Sequence, residues 1–203
     1  MTNSPQSFLP SCSHSFLSLR YPAFPRLSLP FFFALTSMGQ STSTPAAAAL
    51  QNCLKTAVGS QNVAFPSAFW QLSDVKRYNL DIDSNPAAIT YPKSNEQVAS
   101  VVTCARNNKA KVQARSGGHS YGNFALGGGI EGVNTVVVDL KNFRQFAMDE
   151  ESWVATIGAG TLLGDVTDKL QQHGRAMAHG TCPQVGIGGH ATIGTYSARG
   201  TWR

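Results

Sequence analysis

Two glycine-rich stretches constrain the fold of this 203-residue chain more than any other feature of its sequence. They are V-Q-A-R-S-G-G-H-S-Y-G over residues 112–122 and G-T-C-P-Q-V-G-I-G-G-H-A-T-I-G over residues 180–194. In the first, a short apolar strand breaks at Arg115 into a turn, since Gly117 and Gly118 permit positive φ angles and close approach of a ligand. Successive amides in such a turn form a concave nest that suits an anion such as pyrophosphate. The order is not G-x-G-x-x-G and no amphipathic helix follows, which excludes a Rossmann unit.

Each stretch carries one nucleophilic side chain. His119 lies between the two glycines and a Ser-Tyr-Gly run, and Cys182 lies between Thr181 and Pro183. A cysteine held near backbone amides can have a lowered thiol pKa, and the thiolate is the reactive form. Taken singly, His119 can also be a turn histidine that bonds its own backbone, and Cys182 a buried, inert thiol.

The pair of stretches resembles the covalent flavin attachment site of the berberine-bridge-enzyme-like oxidases, which include the fungal oligosaccharide oxidases. The resemblance extends from about Gln51 to Gly194 and rests on two separate motifs in the right order and spacing. In that family the histidine of R-S-G-G-H-S bonds the 8α-methyl group of FAD, and the cysteine of G-x-C-P-x-V-G-x-G-G-H bonds C6. The resemblance therefore implies a bicovalent FAD attached at His119 and Cys182.

The same resemblance implies that the residues around the two nucleophiles contact the cofactor. These residues are Arg115, Ser116, Gly117, Gly118, Ser120, Tyr121, Gly122, Gly180, Thr181, Val185, Gly186, Gly188, Gly189, His190 and Gly194. Val185 stands where the family places a gate for O₂, with valine typical of oxidases. Two roles stay open for His190. It either lies beside the cofactor or only forms hydrogen bonds with backbone carbonyls. No metal site is expected, because His179, Cys182 and His190 match no common zinc spacing.

Helices are predicted in three places. One covers Ala46–Val58 and stops at Gly59, and a second begins at Ser94, where Gln97 completes a capping box. A third is expected to be capped by Thr161 and to end at Gly174. The many glycines of residues 186–194 favour a backbone that wraps closely on a ligand. Segment 65–83 has no clear period, and its large aromatic residues are expected to pack on the fold. These residues are Phe69, Trp70 and Tyr78.

Strands are predicted between the helices, at Asn85–Lys93, Lys111–Ala114, Val136–Val138 and Trp153–Ile157. The first glycine-rich turn thus follows the carboxyl end of a strand, where open α/β sheets place their sites. Together with the resemblance, this predicts an α+β FAD-binding domain of the vanillyl-alcohol-oxidase (PCMH) type, incomplete at its C-terminal edge.

The chain is predicted to have three parts. Residues 1–46 form a signal-like or disordered segment, residues 47–83 an N-terminal helix and packing segment, and residues 84–203 the FAD-binding domain. Residues 195–203 depart from the family pattern, which continues for several hundred residues into a substrate domain. Because the family's tyrosine base lies in that later part, no catalytic residue is expected within these 203 residues.

The N-terminal segment carries a candidate export signal. The apolar run Leu27–Thr36 follows Arg20 and Arg26, as in a signal peptide, and predicts a secreted protein. Met38 offers an alternative start with a myristoylation pattern, M-G-Q-S-T-S, which would instead leave the protein in the cytoplasm. No run reaches the ~18 apolar residues of a membrane span.

Two of the four cysteines are predicted to pair. Cys53 and Cys104 lie on predicted helices that can meet at the edge of the domain, and export supplies an oxidising compartment. The alternative is that both are free core thiols. No C-x-x-C occurs, which excludes zinc-ribbon and thioredoxin-like sites.

The resemblance implies an oxidase that takes a hydride from a sugar or alcohol carbon and passes the electrons to O₂. We expect a monomer. We expect no nucleic-acid binding, because the formal charge of +5 is spread along the chain without a basic run. The alternatives are a non-catalytic, truncated flavin-binding fragment and a binding module without flavin. Since the family's flavin lies between two domains, these 203 residues alone are expected to be inactive and marginally folded.

Overall fold

The computed structural model describes residues 45–128 and 134–193 of the chain. Its helices and strands follow one another as α1 (Pro45–Val58), β1 (Val63–Ala64), β2 (Ala88–Thr90), α2 (Asn95–Asn107), β3 (Lys111–Arg115), β4 (Thr135–Asp139), β5 (Phe146–Asp149), β6 (Val154–Ile157), α3 (Leu163–Gln172) and α4 (Ile187–Ile193). None of the described helices is long and apolar enough to cross a membrane. The predicted signal run Leu27–Thr36, the alternative start Met38 and residues 194–203 lie outside the described residues.

A four-stranded sheet with the order β1-β2-β4-β3 forms the centre of the fold. Strands β2 and β3 both run parallel to β4, with α2 as the crossover between them, while β1 pairs antiparallel with β2. Strands β5 and β6 form a separate antiparallel hairpin. The expected mixture of helices and strands is present. The predicted boundary at residue 83 stays a prediction, and β1 pairs with β2 across it.

The two faces of the sheet carry different apolar clusters, because successive side chains of a strand point to opposite faces. Val136 and Val138 of β4 face α1 and α2, while Val137 faces the other way. The first cluster also contains Leu50, Leu54, Val58, Ala88, Val101 and Ala105. The second contains Trp70, Val75, Ile89, Tyr91 and Leu126. A third cluster, separate from the sheet, joins α3 and α4 to the β5–β6 hairpin.

The ends of α1 and α2 follow the sequence signals. Gly59 has φ of 85° and donates its amide to the Lys55 carbonyl, which ends α1. The Ser94 side chain accepts from the Gln97 amide, and Gln97 Oε1 accepts from the amide of Lys93 at 2.7 Å. The capping box is therefore present, with its return bond one residue before the cap.

The predicted cap of α3 is wrong. Leu162, not Thr161, precedes the helix, and Thr161 is buried with no hydrogen-bond partner for its Oγ1 among the described residues. The amides of Leu163 and Gly164 instead donate to the carbonyls of Val185 and Pro183, at 2.9 and 3.0 Å. The second glycine-rich stretch thus satisfies the first turn of α3, which removes the need for a side-chain cap.

The structure differs from the sequence analysis at four further points. The Phe69 side chain is 76% exposed rather than packed on the fold. Strand β6 begins one residue after Trp153, because Trp153 has a left-handed φ of 56°. Strand β5 was not predicted. Residues Ile187–Ile193 form helix α4, which was not predicted, and the contact of their glycines with a ligand stays a prediction.

The predicted disulfide between Cys53 and Cys104 is present. It joins α1 to α2 with a Cα–Cα distance of 5.8 Å across a sequence separation of 51 residues. The bond thus ties the N-terminal helix to the crossover helix that leads into β3.

We expect the double variant Cys53→Ala/Cys104→Ala to lose about 3–4 kcal/mol of unfolding free energy, because opening this loop restores entropy to the unfolded chain. The measurement is urea unfolding followed by circular dichroism, after peptide mapping of unreduced protein for the linked pair. Thr103→Ala, an exposed neighbour in α2, is the control and should change stability by less than about 0.5 kcal/mol. Two free thiols in protein purified without reductant would contradict the pairing.

Candidate functional site

The two glycine-rich stretches contact each other through their backbones. A Cβ atom added to Gly117 would lie 2.7 Å from the Gln184 carbonyl oxygen, and one added to Gly186 would overlap Ser116 Oγ and the Gly117 amide. No side chain fits between the stretches at this point. Gly117 is two positions before His119, and Gly186 is four positions after Cys182. The contact therefore brings the two loops that carry the nucleophiles together.

A third segment, between β6 and α3, holds both loops. Ser116 Oγ donates to the Ala159 carbonyl at 2.6 Å, and the amide of Gly188 donates to the same oxygen at 3.2 Å. The amide of Ile187 donates to the Thr161 carbonyl at 2.8 Å. The sequence predicted a strand that ends at Ile157 and a helix capped by Thr161, and no role in the site for the residues between them. In the structure this segment joins the two glycine-rich stretches.

The glycines divide into two groups. Gly117, Gly186 and Gly188 have neighbours where a Cβ would stand, so they allow the three segments to pack together. Of the Gly117–Gly118 pair only Gly118 has a positive φ, at 70°, which corrects the expectation for Gly117. Nothing lies within 4 Å of a Cβ on Gly189. Gly118 and Gly189 have no such close neighbour.

Most of the predicted contact residues are half-buried. Arg115, Gly180 and Gly186 are buried, and Tyr121 and Thr181 are exposed. The half-buried residues are Ser116, Gly117, Gly118, His119, Ser120, Gly122, Cys182, Val185, Gly188, Gly189 and His190. Gly194 lies outside the described residues. These residues therefore line a partly open surface, and their contact with a cofactor stays a prediction.

Arg115 is held inside the protein at the end of β3. Its Nε donates to Asp139 Oδ2 at 2.7 Å, and its Nη2 lies 2.6 Å from the same oxygen. Nη1 and Nη2 also donate to the carbonyls of Val75 and Asp74, at 2.8 and 2.9 Å. These bonds make Arg115 the anchor from which the first glycine-rich turn begins.

A tyrosine and a carboxylate extend this anchor. The Tyr91 hydroxyl donates to Asp74 Oδ1 at 2.6 Å. Burial, reinforced by the Asp74 charge, raises the pKa of Tyr91. Burial alone would raise the pKa of Asp74, but hydrogen bonds from Ser73 and Tyr91 outweigh it and hold that pKa below its usual value. The neutral Tyr91 hydroxyl thus donates to the charged Asp74 carboxylate. This bond fixes the segment that leads to Tyr78.

An aromatic residue that the sequence did not single out for the site lies against His119. The ring centroids of Tyr78 and His119 are 4.1 Å apart, with 37° between the ring planes. Tyr121 meets Tyr78 edge-on at 5.5 Å, and the two hydroxyl groups are hydrogen-bonded. Burial, followed by the neighbouring Tyr121, raises the pKa of Tyr78, so the Tyr78 hydroxyl is neutral near pH 7. His119 is therefore part of an aromatic cluster.

Asn123 binds the backbone of both segments that carry the Tyr78–His119 ring pair. It is buried, has a left-handed φ of 51°, and donates its Nδ2 to the carbonyls of Asn79 and Ile82, at 2.8 Å each. Its Oδ1 accepts from the Asn79 amide, and its own amide donates to the Ser120 carbonyl at 3.0 Å. The only sequence signal was an asparagine after a glycine, which is too common to indicate such a role.

The cysteine loop is fixed to α3 at its beginning. His179 Nδ1 donates to the Gly180 carbonyl at 2.7 Å, and His179 Nε2 lies 3.0 Å from Thr167 Oγ1 on α3. A flavin bond at Cys182 requires the free thiol of that residue.

The chain is similar to known FAD-binding proteins. A family model described as "FAD binding domain" matches residues 86–203. A FAD-linked oxidoreductase of Penicillium rubens is 44% identical over 73% of this chain and 31% of its own length. The xylooligosaccharide oxidase of Thermothelomyces thermophilus is 37% identical over 83% of this chain and 33% of its own length. The chain thus spans about a third of the length of these curated relatives.

A solved structure shows the same relationship. Glucooligosaccharide oxidase from Acremonium strictum, a protein with a 6-S-cysteinyl, 8α-N1-histidyl FAD, matches with a TM-score of 0.58 and 35% identity. The match covers 70% of this chain and 29% of that protein. The likeness confirms the expected PCMH-type fold. The chain belongs to the FAD-binding domain family, among relatives that include oligosaccharide oxidases and berberine bridge enzyme-like proteins.

Proposed function

We propose that this chain supplies the FAD-binding part of an oxidase that removes a hydride from a carbohydrate or alcohol carbon and passes the electrons to O₂. The observation that carries the proposal is the backbone contact between the loops of His119 and Cys182, within a domain of the FAD-binding family. Relatives that are oxidases of oligosaccharides support the substrate class. FAD supplies the two-electron chemistry when it is bound, and the protein holds and orients it.

The proposal includes two covalent bonds, from the His119 imidazole and from the Cys182 sulfur. Both side chains are nucleophiles, which suits the electron-poor ring of a flavin, and the related glucooligosaccharide oxidase has both kinds of bond. In forming each bond, the side chain would lose the hydrogen of its N–H or S–H and replace one C–H hydrogen of the flavin. The two electrons and two protons released would go to O₂ and form hydrogen peroxide.

The remaining residues orient the site and control access to it. Tyr78 covers part of the His119 ring, and the positive φ of Gly118 lets the turn present its amides. The carbonyl of Val185 accepts from the Leu163 amide, and its side chain packs against the cluster around α3. Val185 is thus held in one place, as a residue that admits O₂ beside the flavin would have to be.

The division into residues 1–46, 47–83 and 84–203 belongs to the same proposal. So do export and a monomeric state. The Cys53–Cys104 disulfide supports export, because such bonds persist in oxidising compartments.

A second candidate function is a flavin-binding fragment without catalysis. It is favoured by one observation, that the chain spans about a third of the length of its relatives. Purified protein that is yellow but releases no peroxide from any oligosaccharide would support the fragment. Yellow protein that releases peroxide would support the oxidase, and colourless protein would contradict both.

We expect His119→Ala and Cys182→Ala each to leave flavin bound through one link, and the double variant to release it on denaturation. The physical reason is that each side chain forms its own bond to the ring system. The measurement is flavin fluorescence in a denaturing gel, with peptide mass spectrometry to locate the adduct. Flavin retained by the denatured double variant would contradict the assignment.

We expect Gly186→Ala to lower covalent flavin incorporation at least about tenfold, a loss of ~1.4 kcal/mol or more, because the new methyl group pushes the two loops apart. Thr56→Ala is the control, because Thr56 is exposed on α1 and belongs to neither glycine-rich stretch. Acid-stable flavin per protein measures both. Equal incorporation in the two variants would show that the loop contact is not needed for attachment.

We expect Val185→Leu to slow reoxidation of the reduced flavin about tenfold, because the larger side chain narrows the path of O₂. Stopped-flow mixing of dithionite-reduced protein with oxygenated buffer measures this step without a substrate. Val154→Leu is the control, because Val154 is 61% exposed on β6. An oxygen rate in Val185→Leu equal to that of the control would remove Val185 from the mechanism.

A further inference from the structure

We infer that Tyr78 is a positioning residue for the covalent attachment of flavin at His119. The inference rests on the proposed function, since it concerns the bond proposed there. It assigns a role to a residue outside both glycine-rich stretches, and to the buried Asn123 that fixes it.

The first step is the contact between the two rings. A centroid distance of 4.1 Å, with 37° between the planes, leaves little room for the imidazole to turn on the side of Tyr78. Tyr78 is itself supported by the edge of Tyr121 at 5.5 Å and by their hydroxyl hydrogen bond. The His119 ring therefore has a firm surface against one face.

The second step is the anchoring of the two rings to each other. Asn123 bonds both the amide and the carbonyl of Asn79, the residue after Tyr78. It also bonds the carbonyl of Ser120, the residue after His119. The side chain of Asn123 thus fixes the backbone next to Tyr78, and its main-chain amide fixes the backbone next to His119. One buried residue therefore links the two segments that carry the rings.

The third step is the chemistry of attachment. The bond forms only when an imidazole nitrogen points its lone pair at the reacting carbon, and a ring that turns freely spends little time in that orientation. The N–H hydrogen and one C–H hydrogen are lost, and O₂ takes the two electrons and two protons as hydrogen peroxide. By limiting rotation, Tyr78 raises the fraction of His119 in the reactive orientation without a bond of its own to the flavin.

The test uses the 203-residue chain carrying Cys182→Ala, so that His119 is the one expected attachment point. Tyr78→Leu removes the flat ring, and Tyr78→Phe keeps the ring without the hydroxyl group. Phe69→Leu is the matched control, because it removes an exposed aromatic ring from the same segment. Apoprotein from riboflavin-depleted cells is mixed with FAD in air. Quenching of flavin fluorescence then gives the affinity, and acid-stable flavin on the His119 peptide gives the attachment rate.

We expect Tyr78→Leu to slow attachment about fivefold to tenfold, as fits the loss of one aromatic contact, with FAD affinity unchanged within about twofold. Tyr78→Phe should restore the rate, and Phe69→Leu should match the parent. Equal rates in Tyr78→Leu and the parent would overturn the inference alone, as would a Tyr78→Phe variant as slow as Tyr78→Leu. Loss of affinity and rate together would also overturn it, since that indicates a structural role.

Two controls keep the result decisive. If circular dichroism shows that Tyr78→Leu does not fold, Tyr78→Gln replaces it, with the same expected loss of rate. A parent that attaches no flavin at His119 would overturn the proposed attachment, and this inference with it. Failure of the inference alone requires a parent that attaches flavin normally.

Discussion

The ion pair between Arg115 and Asp139 is the interaction on which the site depends. The two residues end the neighbouring parallel strands β3 and β4, where they are paired in register, and both side chains are buried. Removing one partner of such a pair leaves an uncompensated buried charge, which costs about 3–5 kcal/mol. Here it would also release the first glycine-rich turn, because that turn begins at the residue after Arg115. The same guanidinium binds the carbonyls of Asp74 and Val75, so it also holds the segment that carries Tyr78.

From this anchor the site is built mainly by backbone contacts, with the Ser116 side chain as one addition. Gly117 meets Gly186, Ala159 accepts from Ser116 and Gly188, and the carbonyls of the cysteine loop complete the first turn of α3. Each of these contacts joins segments that are distant in sequence. A change in any one of the three segments therefore alters the spacing between the nucleophile loops.

The sequence predicted the parts of the fold that depend on local signals. Ser94 with Gln97 begins α2, Gly59 ends α1, and the valines of β4 form a buried run, all of which local patterns express. It did not predict α4, because glycine costs about 1 kcal/mol in a helix and Ile187–Ile193 contains two of them. Thr161 was taken for a cap because the acceptors for the first turn of α3 come from residues 183–185, which a local pattern cannot show. Tyr78 likewise lies against His119 because of a distant residue. Asn123, 45 residues after Tyr78, binds the backbone next to both rings.

The density of glycines was the strongest signal of function, and the structure changes its explanation. Glycine is required at positions 117, 186 and 188, because atoms of another segment occupy the space that a side chain would need. A ring bonded from two loops needs those loops at a fixed separation, since neither covalent bond can stretch to correct an error. Backbone packing between glycines sets that separation more closely than side chains do, because it has no rotamers to vary. In the proposed attachment the glycines serve the flavin indirectly, by holding the loops of His119 and Cys182 together.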